Sequence, residues 1–129
     1  MIEDGKYKEI TGKIIGCAME VHNQLRSGFQ EVIYQRALDI EMRNAGLHFT
    51  REQEMSILYK GEEIGTRRVD FMVEGKVSLE LKAINQLESV HIAQAINYLE
   101  IYNLEVGLLI NFGSMKLEFK RLVNSKYKP

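Results

Sequence analysis

Asp70, Glu80 and Lys82 have the types and spacing to do chemistry together. Val69, Phe71 and Val73 alternate with Arg68 and Asp70, and Val77, Leu79 and Leu81 alternate with Ser78, Glu80 and Lys82. Side chains alternate across a strand with a period of two, so if both apolar rows face one core, the polar rows share the other face. A three-residue connection, Glu74-Gly75-Lys76, then pairs Val73 with Val77 and Phe71 with Leu79, and sets Asp70 opposite Glu80. A two-residue connection would force polar residues against apolar ones. Opposed residues have Cβ atoms about 4.5–5.5 Å apart. Two carboxylates that close repel and raise each other's pKa. A hard divalent cation, Mg²⁺ or Mn²⁺, removes that cost and keeps places for water and phosphate oxygens. It can activate water and stabilise charge on a phosphate. Lys82 would point into the same site, to orient the water or neutralise the developing charge. An E-x-K triplet by itself is an ordinary solvated strand face; the expected opposition to Asp70 gives it meaning.

The surrounding pattern supplies the elements that must hold these residues. Over 7–26, Ile10, Ile14, Ala18, Val21 and Leu25 recur at helical spacing. Ser27 and Gln30 have the capping-box spacing, which predicts a second helix starting at Ser27. Its expected apolar positions are Phe29, Ile33, Ala37 and Ile40, with Gly46 as its stop. Strands are predicted over 48–59, 64–73 and 77–83, a helix over 88–103, and strands over 105–112 and 116–123. Val106, Leu108, Leu109 and Ile110 put apolar residues on both faces, as in a covered central strand. The expected class is α/β: a mixed central β-sheet flanked by helices in the order α-α-β-β-β-α-β-β, its third and fourth strands parallel around a helical crossover.

The bulk numbers bound the function without choosing it. The 129 residues are read as a single domain, 1–129, and 45% apolar with 27% charged is ordinary for a globular chain. The lone Cys17 allows no internal disulfide, and the first residues lack a secretory pattern, so a cytoplasmic setting is expected, with no membrane partner. The net charge of −1 does not advertise a protein that coats phosphates. The charge is uneven, however: Lys116, Lys120, Arg121, Lys126 and Lys128 crowd the C-terminal segment against the single acid Glu118. A carboxylate-lined site with a separate basic rim would also sum to roughly zero. No zinc pattern, phosphate-binding glycine loop or nucleophile elbow is present in the sequence.

Asp70, a turn, then Glu80-Leu81-Lys82 resembles the signature of the PD-(D/E)XK nuclease superfamily. The Q-x-x-x-Y spacing of Gln94 and Tyr98 is similar to that of RecB-like members. Gly28-Phe29-Gln30-Glu31-Val32-Ile33-Tyr34 matches G-x-x-E-x-x-Y and resembles the GxxExxY family of small prokaryotic proteins within that superfamily. Val21-His22, Tyr59-Lys60-Gly61, His91-Ile92-Ala93-Gln94 and Leu109-Ile110-Asn111-Phe112-Gly113 also look like it, in order along nearly the whole chain. The resemblance implies a restriction-endonuclease-like fold and metal-dependent hydrolysis of nucleic acid, DNA in preference to RNA. It implies Asp70, Glu80 and Glu31 as metal ligands, Lys82 as the catalytic lysine, and Gln94 and Tyr98 as orienting residues. The alternative it leaves is a non-catalytic nucleic-acid-binding or accessory module that keeps the fold, as a homodimer or with a partner protein.

Each added residue has an ordinary role beside the implied one. Glu31 lies in a first helical turn, where the dipole alone favours an acid. Tyr34, near the same face, could simply pack. Gln94 and Tyr98 would otherwise be a surface amide and a half-buried tyrosine. His22 and His91 are read as satisfied structural histidines, and Cys17 as core.

Overall fold

The computed structural model describes residues 5–129; Met1–Asp4, part of the N-terminal reading, lie outside the described residues. The elements are α1 (Gly5–Leu25), α2 (Glu31–Asn44), β1 (Phe49–Tyr59), β2 (Glu62–Val73), β3 (Val77–Lys82), α3 (Ser89–Ile101), β4 (Val106–Asn111) and β5 (Glu118–Val123). They form a five-stranded mixed sheet in the order β1-β2-β3-β4-β5. Only β3 and β4 run parallel, joined by α3; the other neighbours are antiparallel. The element order and the sheet type are those expected from the sequence.

The alternation of each strand divides the core in two. Phe71, Val73, Val77, Leu79, Leu81, Val106, Leu108 and Ile110 pack against Ile14, Ala18, Val21, Tyr34, Leu38 and Met42 of α1 and α2. On the other face Leu109 and Leu122 pack against Ala95 and Leu99 of α3. That is why β4 is apolar at every position but its glycine and its last residue. The turns follow the glycines: Lys60 and Gly61, with φ of 50° and 83°, close the β1–β2 hairpin, and Glu74 and Gly75, with 54° and 64°, close β2–β3. The second turn pairs Val73 with Val77 and Phe71 with Leu79, as its three-residue length predicts.

Helix α2 departs from the sequence reading in start and phase. It begins at Glu31, behind Gln30, which makes no side-chain cap. Ser27 opens no helix, because Gly28 takes a φ of 118° and the chain loops. The buried face is Tyr34, Gln35, Leu38 and Met42, whereas Phe29 and Ile40 are about half exposed. The aromatic anchor decided the phase: the Tyr34 ring stacks on Phe112 at 4.8 Å, and its hydroxyl donates to the Arg26 carbonyl at 2.6 Å and accepts from the Phe29 N–H. At the other end Gly46, at φ 79°, stops the helix with Leu47 N–H bonded to the Met42 carbonyl, a Schellman arrangement.

The chain leaving β3 is clamped by β4. Asn111 is fully buried; its Oδ1 accepts from the Ile84 and Gly113 N–H groups, and its Nδ2 donates to the Ile84 carbonyl and to Glu118. Gly113 permits this approach: a Cβ there would lie 2.3 Å from the Ile84 carbonyl oxygen and 2.4 Å from its nitrogen. Both neighbours are backbone, so relief requires moving the chain just past Lys82. Gly113→Ala is expected to destabilise the protein by about 2 kcal/mol or more, as overpacking against unyielding neighbours does, read from urea unfolding. An unchanged midpoint would show that the 83–84 backbone gives way freely.

Candidate active site

Asp70 sits where the sheet comes apart. The β2–β3 ladder stops at Phe71 and Leu79, so the backbone pairing of Asp70 with Glu80 expected from the register is not made. On the β1 side the pairing passes from Arg51 to Gln53 and skips Glu52, whose φ is 53°. The Leu81 N–H, on the side of β3 that β2 has left, donates to Asp70 Oδ2 at 2.7 Å. The other oxygen, Oδ1, accepts from Gln35 Nε2 of α2 at 2.9 Å. Gln35 is buried; its own carbonyl oxygen accepts from Arg51, which pairs with Asp39 at 3.1 Å. Partial burial opposes ionisation of Asp39, but hydrogen bonds from Arg43 and Arg51 hold its pKa below the usual range. The amide of Gln35 is thus oriented from both ends, and with it Asp70.

Glu80 is 8% exposed. Burial first, then the charge of Asp70, push its pKa up to about 8, against the opposing pull of Arg67 and Lys82. One oxygen, Oε2, meets Arg67 Nη2 at 3.1 Å, and the other, Oε1, is buried without a hydrogen-bond partner. The Arg67 guanidinium lies over the Tyr98 ring, 3.7 Å from its centroid. Glu31 stands exposed in the first turn of α2; desolvation and the Asp70 charge raise its pKa, while Lys82 and Arg67 lower it. Lys82, half-buried at the end of β3, is therefore in electrostatic reach of both Glu31 and Glu80.

The structure brings Glu31, Asp70, Glu80 and Lys82 into one electrostatic cluster and joins Tyr98 to it through Arg67. Gln94 is exposed, one helical turn before Tyr98. Among the described residues, no three side chains of His, Cys, Asp and Glu gather closely enough to hold one metal ion; the close pair is Asp70 with Glu80. His22 donates to the Ser114 carbonyl at 3.0 Å, His91 closes the capping box of α3 with Glu88, and Cys17 is buried. All three take the structural roles expected of them.

Sequence reasoning missed Gln35, Arg67 and Tyr102. Gln35 carried a usable signal, since it lies four residues after Glu31 and so on the same helical face. Arg67 did not: strict alternation put Arg68 with Asp70, but Arg68 is exposed and paired with Glu52 at 3.5 Å. Before Phe71, β2 pairs with β1 alone, and such a two-stranded ribbon twists more strongly than a sheet. Tyr102 joins from the end of α3; its hydroxyl is buried without a partner, and desolvation raises its pKa against the influence of Arg67.

The raised pKa of Glu80 fixes the sign of a pH effect. The group ionises near 4.5 when free and at about 8 in the fold. Between those values the unfolded chain gives up the proton and the folded one keeps it. Stability present below the lower value is lost as pH rises to the upper one, by at most about 1.4 kcal/mol per pH unit. In chelator, the urea midpoint is expected to fall from pH 5 to pH 8, and Glu80→Gln to flatten the decline. A wild-type midpoint that rises over this range would contradict the assigned burial of Glu80.

Comparison with known proteins places this geometry. The PD-(D/E)XK nuclease superfamily matches the chain over residues 8–122. The fold is similar to that of the crystal structure of SSO0001, with a TM-score of 0.56 and 17% sequence identity over 92% of this chain and 58% of that one. The chain thus spans less than two thirds of that structure's length, and at this identity the likeness speaks for the fold. No curated protein matches the sequence. The match from the first turn of α1 almost to the end of β5 takes in every element that builds the site, and the chain belongs to the PD-(D/E)XK nuclease superfamily.

Proposed function

We propose that this chain hydrolyses phosphodiester bonds of nucleic acid, with DNA as its substrate, in a reaction that depends on Mg²⁺ or Mn²⁺. The observation that carries the reading is Glu80 Oε1, a buried carboxylate oxygen that no N–H group reaches, beside a second carboxylate. An orphaned acceptor in that setting is costly. A divalent cation would satisfy it, and two carboxylates with room for water and phosphate oxygens suit a hard ion.

Asp70 and Glu80 would hold the ion, with Glu31 facing it from α2. The ion would supply activation of water and stabilisation of the charge that builds on the phosphate. Gln35 and the Leu81 N–H fix the Asp70 carboxylate before substrate arrives, so little reorganisation remains. Lys82 would orient the attacking water and offset the negative charge that develops as the phosphorus–oxygen ester bond breaks. Tyr98 and Gln94, a turn apart on α3, would bear on the substrate from the other side. The G-x-x-E-x-x-Y segment supports the narrower assignment to the GxxExxY family, for it has a physical sense here. Gly28 makes the loop, Tyr34 ties that loop to the core, and Glu31 would thereby be held toward the site. Residues 1–129 would act as one cytoplasmic unit, as a homodimer or with a partner protein; among the described residues no helix is long and apolar enough to cross a membrane.

One observation favours a second reading. Arg67 already sits on Glu80, as it would in a non-catalytic nucleic-acid-binding or accessory module that kept the fold. Single- and double-stranded DNA and RNA, incubated with Mg²⁺, Mn²⁺ or chelator, separate the two. Cleavage is expected with either metal and none with chelator. Lys82→Ala is expected to lower the rate by about 100-fold or more while metal binding, followed by calorimetry, stays within about 3-fold.

Asp70→Asn is expected to weaken metal binding and abolish hydrolysis, with little change in metal-free stability. It removes a repelling charge, but both Asp70 oxygens accept hydrogen bonds, and the amide would set a donor against either Gln35 or Leu81. Wild type that binds neither metal at millimolar concentration, with or without nucleic acid, would move the assignment to the non-catalytic module.

A further inference from the structure

The Arg67–Glu80 contact is built unlike a structural ion pair. A structural Arg–carboxylate pair is commonly bidentate, two parallel N–H···O bonds in a fork. Here Arg67 and Glu80 meet through Nη2 and Oε2 at 3.1 Å, while Arg67 Nε and Glu80 Oε1 are both buried without partners. A buried pair left half-satisfied on each side is a poor source of stability. The guanidinium has a second anchor that does not depend on Glu80, the face of Tyr98 at 3.7 Å. The strand carrying it is paired at this point only with β1, with Arg67 opposite Met55.

We propose that Arg67 is the site's own counter-ion, seated on Glu80 when no cation is bound and exchanged for the divalent cation when one enters. The inference rests on the metal-dependent reading above and adds a competitor to it. A guanidinium on Oε2 and a divalent ion on Oε1 would share one carboxylate at close range, and their charges repel. The cation therefore binds against the Arg67 charge, and its apparent affinity is reduced by the fraction of molecules in which Arg67 holds Glu80. The Tyr98 ring keeps the displaced side chain beside the site instead of releasing it to solvent, since an aromatic face holds a cation without a partner acid.

The test uses the full chain at pH 8.5, with Mn²⁺ titrated calorimetrically into wild type, Arg67→Gln and Arg67→Lys. Thermal midpoints are taken in chelator and in saturating Mn²⁺. Arg67→Gln is expected to bind Mn²⁺ about 10-fold more tightly than wild type. In chelator it is expected to melt below wild type, because the buried Glu80 carboxyl loses its ion-pair partner, and saturating Mn²⁺ is expected to close that gap. Arg67→Lys keeps the charge but loses the fork and the planar stack, so an intermediate gain of about 3-fold is expected. Wild type that binds Mn²⁺ while Arg67→Gln binds it equally or less tightly would overturn the exchange and leave the metal-dependent reading standing. Failure of all three proteins to bind Mn²⁺ would remove that reading and the exchange with it. Should Arg67→Gln not fold, Arg67→Lys decides: tighter binding supports the exchange and unchanged affinity overturns it.

Discussion

The hydrogen bond from the Leu81 N–H to the Asp70 carboxylate is the joint on which the site turns. β2 and β3 cannot both stay paired and leave space for chemistry between them, and a strand that parts from its neighbour exposes backbone groups that must be satisfied. Asp70 closes that account with a side chain, at 2.7 Å, where the ladder ends. The arrangement fixes a carboxylate at the mouth of the gap and ties β2 to β3 through it. It also leaves a second oxygen for Gln35, so that α2 is registered against the sheet by a polar contact as well as by the packing of Tyr34 and Leu38.

The electrostatics around the joint are deliberately unfavourable in the absence of a ligand. Burial raises the pKa of Glu80, and Asp70 raises it further. Two cationic side chains answer this from different elements, Lys82 from β3 and Arg67 from the ribbon, without restoring the usual ionisation of Glu80. Stability given up at such a cluster is drawn from the two apolar layers that enclose the sheet. The larger of these runs from α1 through the sheet interior, and it secures the far end of β3 through Phe112 and the buried Asn111 clamp.

The elements were legible because their signals are local. Period-two alternation in 69–73 and 77–81, the glycines at 61, 75 and 46, and the apolar residues on both faces of β4 each state one element or turn. The register of β2 on β3 was legible for the same reason, since turn length and alternation leave a single solution. What escaped was non-local. The phase of α2 was decided by Tyr34 finding Phe112, far along the chain, and not by the sum of its apolar residues. Arg67, not Arg68, meets Glu80, from a stretch where β2 has parted from β3, and Gln35 takes its role from a carboxylate on another element. The candidate site was read as a set of residue types in a motif; the hydrogen bonds that orient them became visible only with the fold.

Residues 62–69 of β2 have β1 as their one neighbouring strand, and this arm bears exposed Leu58, Tyr59 and Ile64 near its tip. Two-stranded ribbons are marginal by themselves, and regions with few buried contacts open at a free energy well below that of global unfolding. Amide protons of the arm should accordingly exchange with solvent through local opening, while those of β3 and β4 wait for the whole molecule to unfold. The site is thereby assembled from two cooperative units: Glu80 and Lys82 belong to the slow one, Arg67 to the fast one, and Asp70 marks the seam between them.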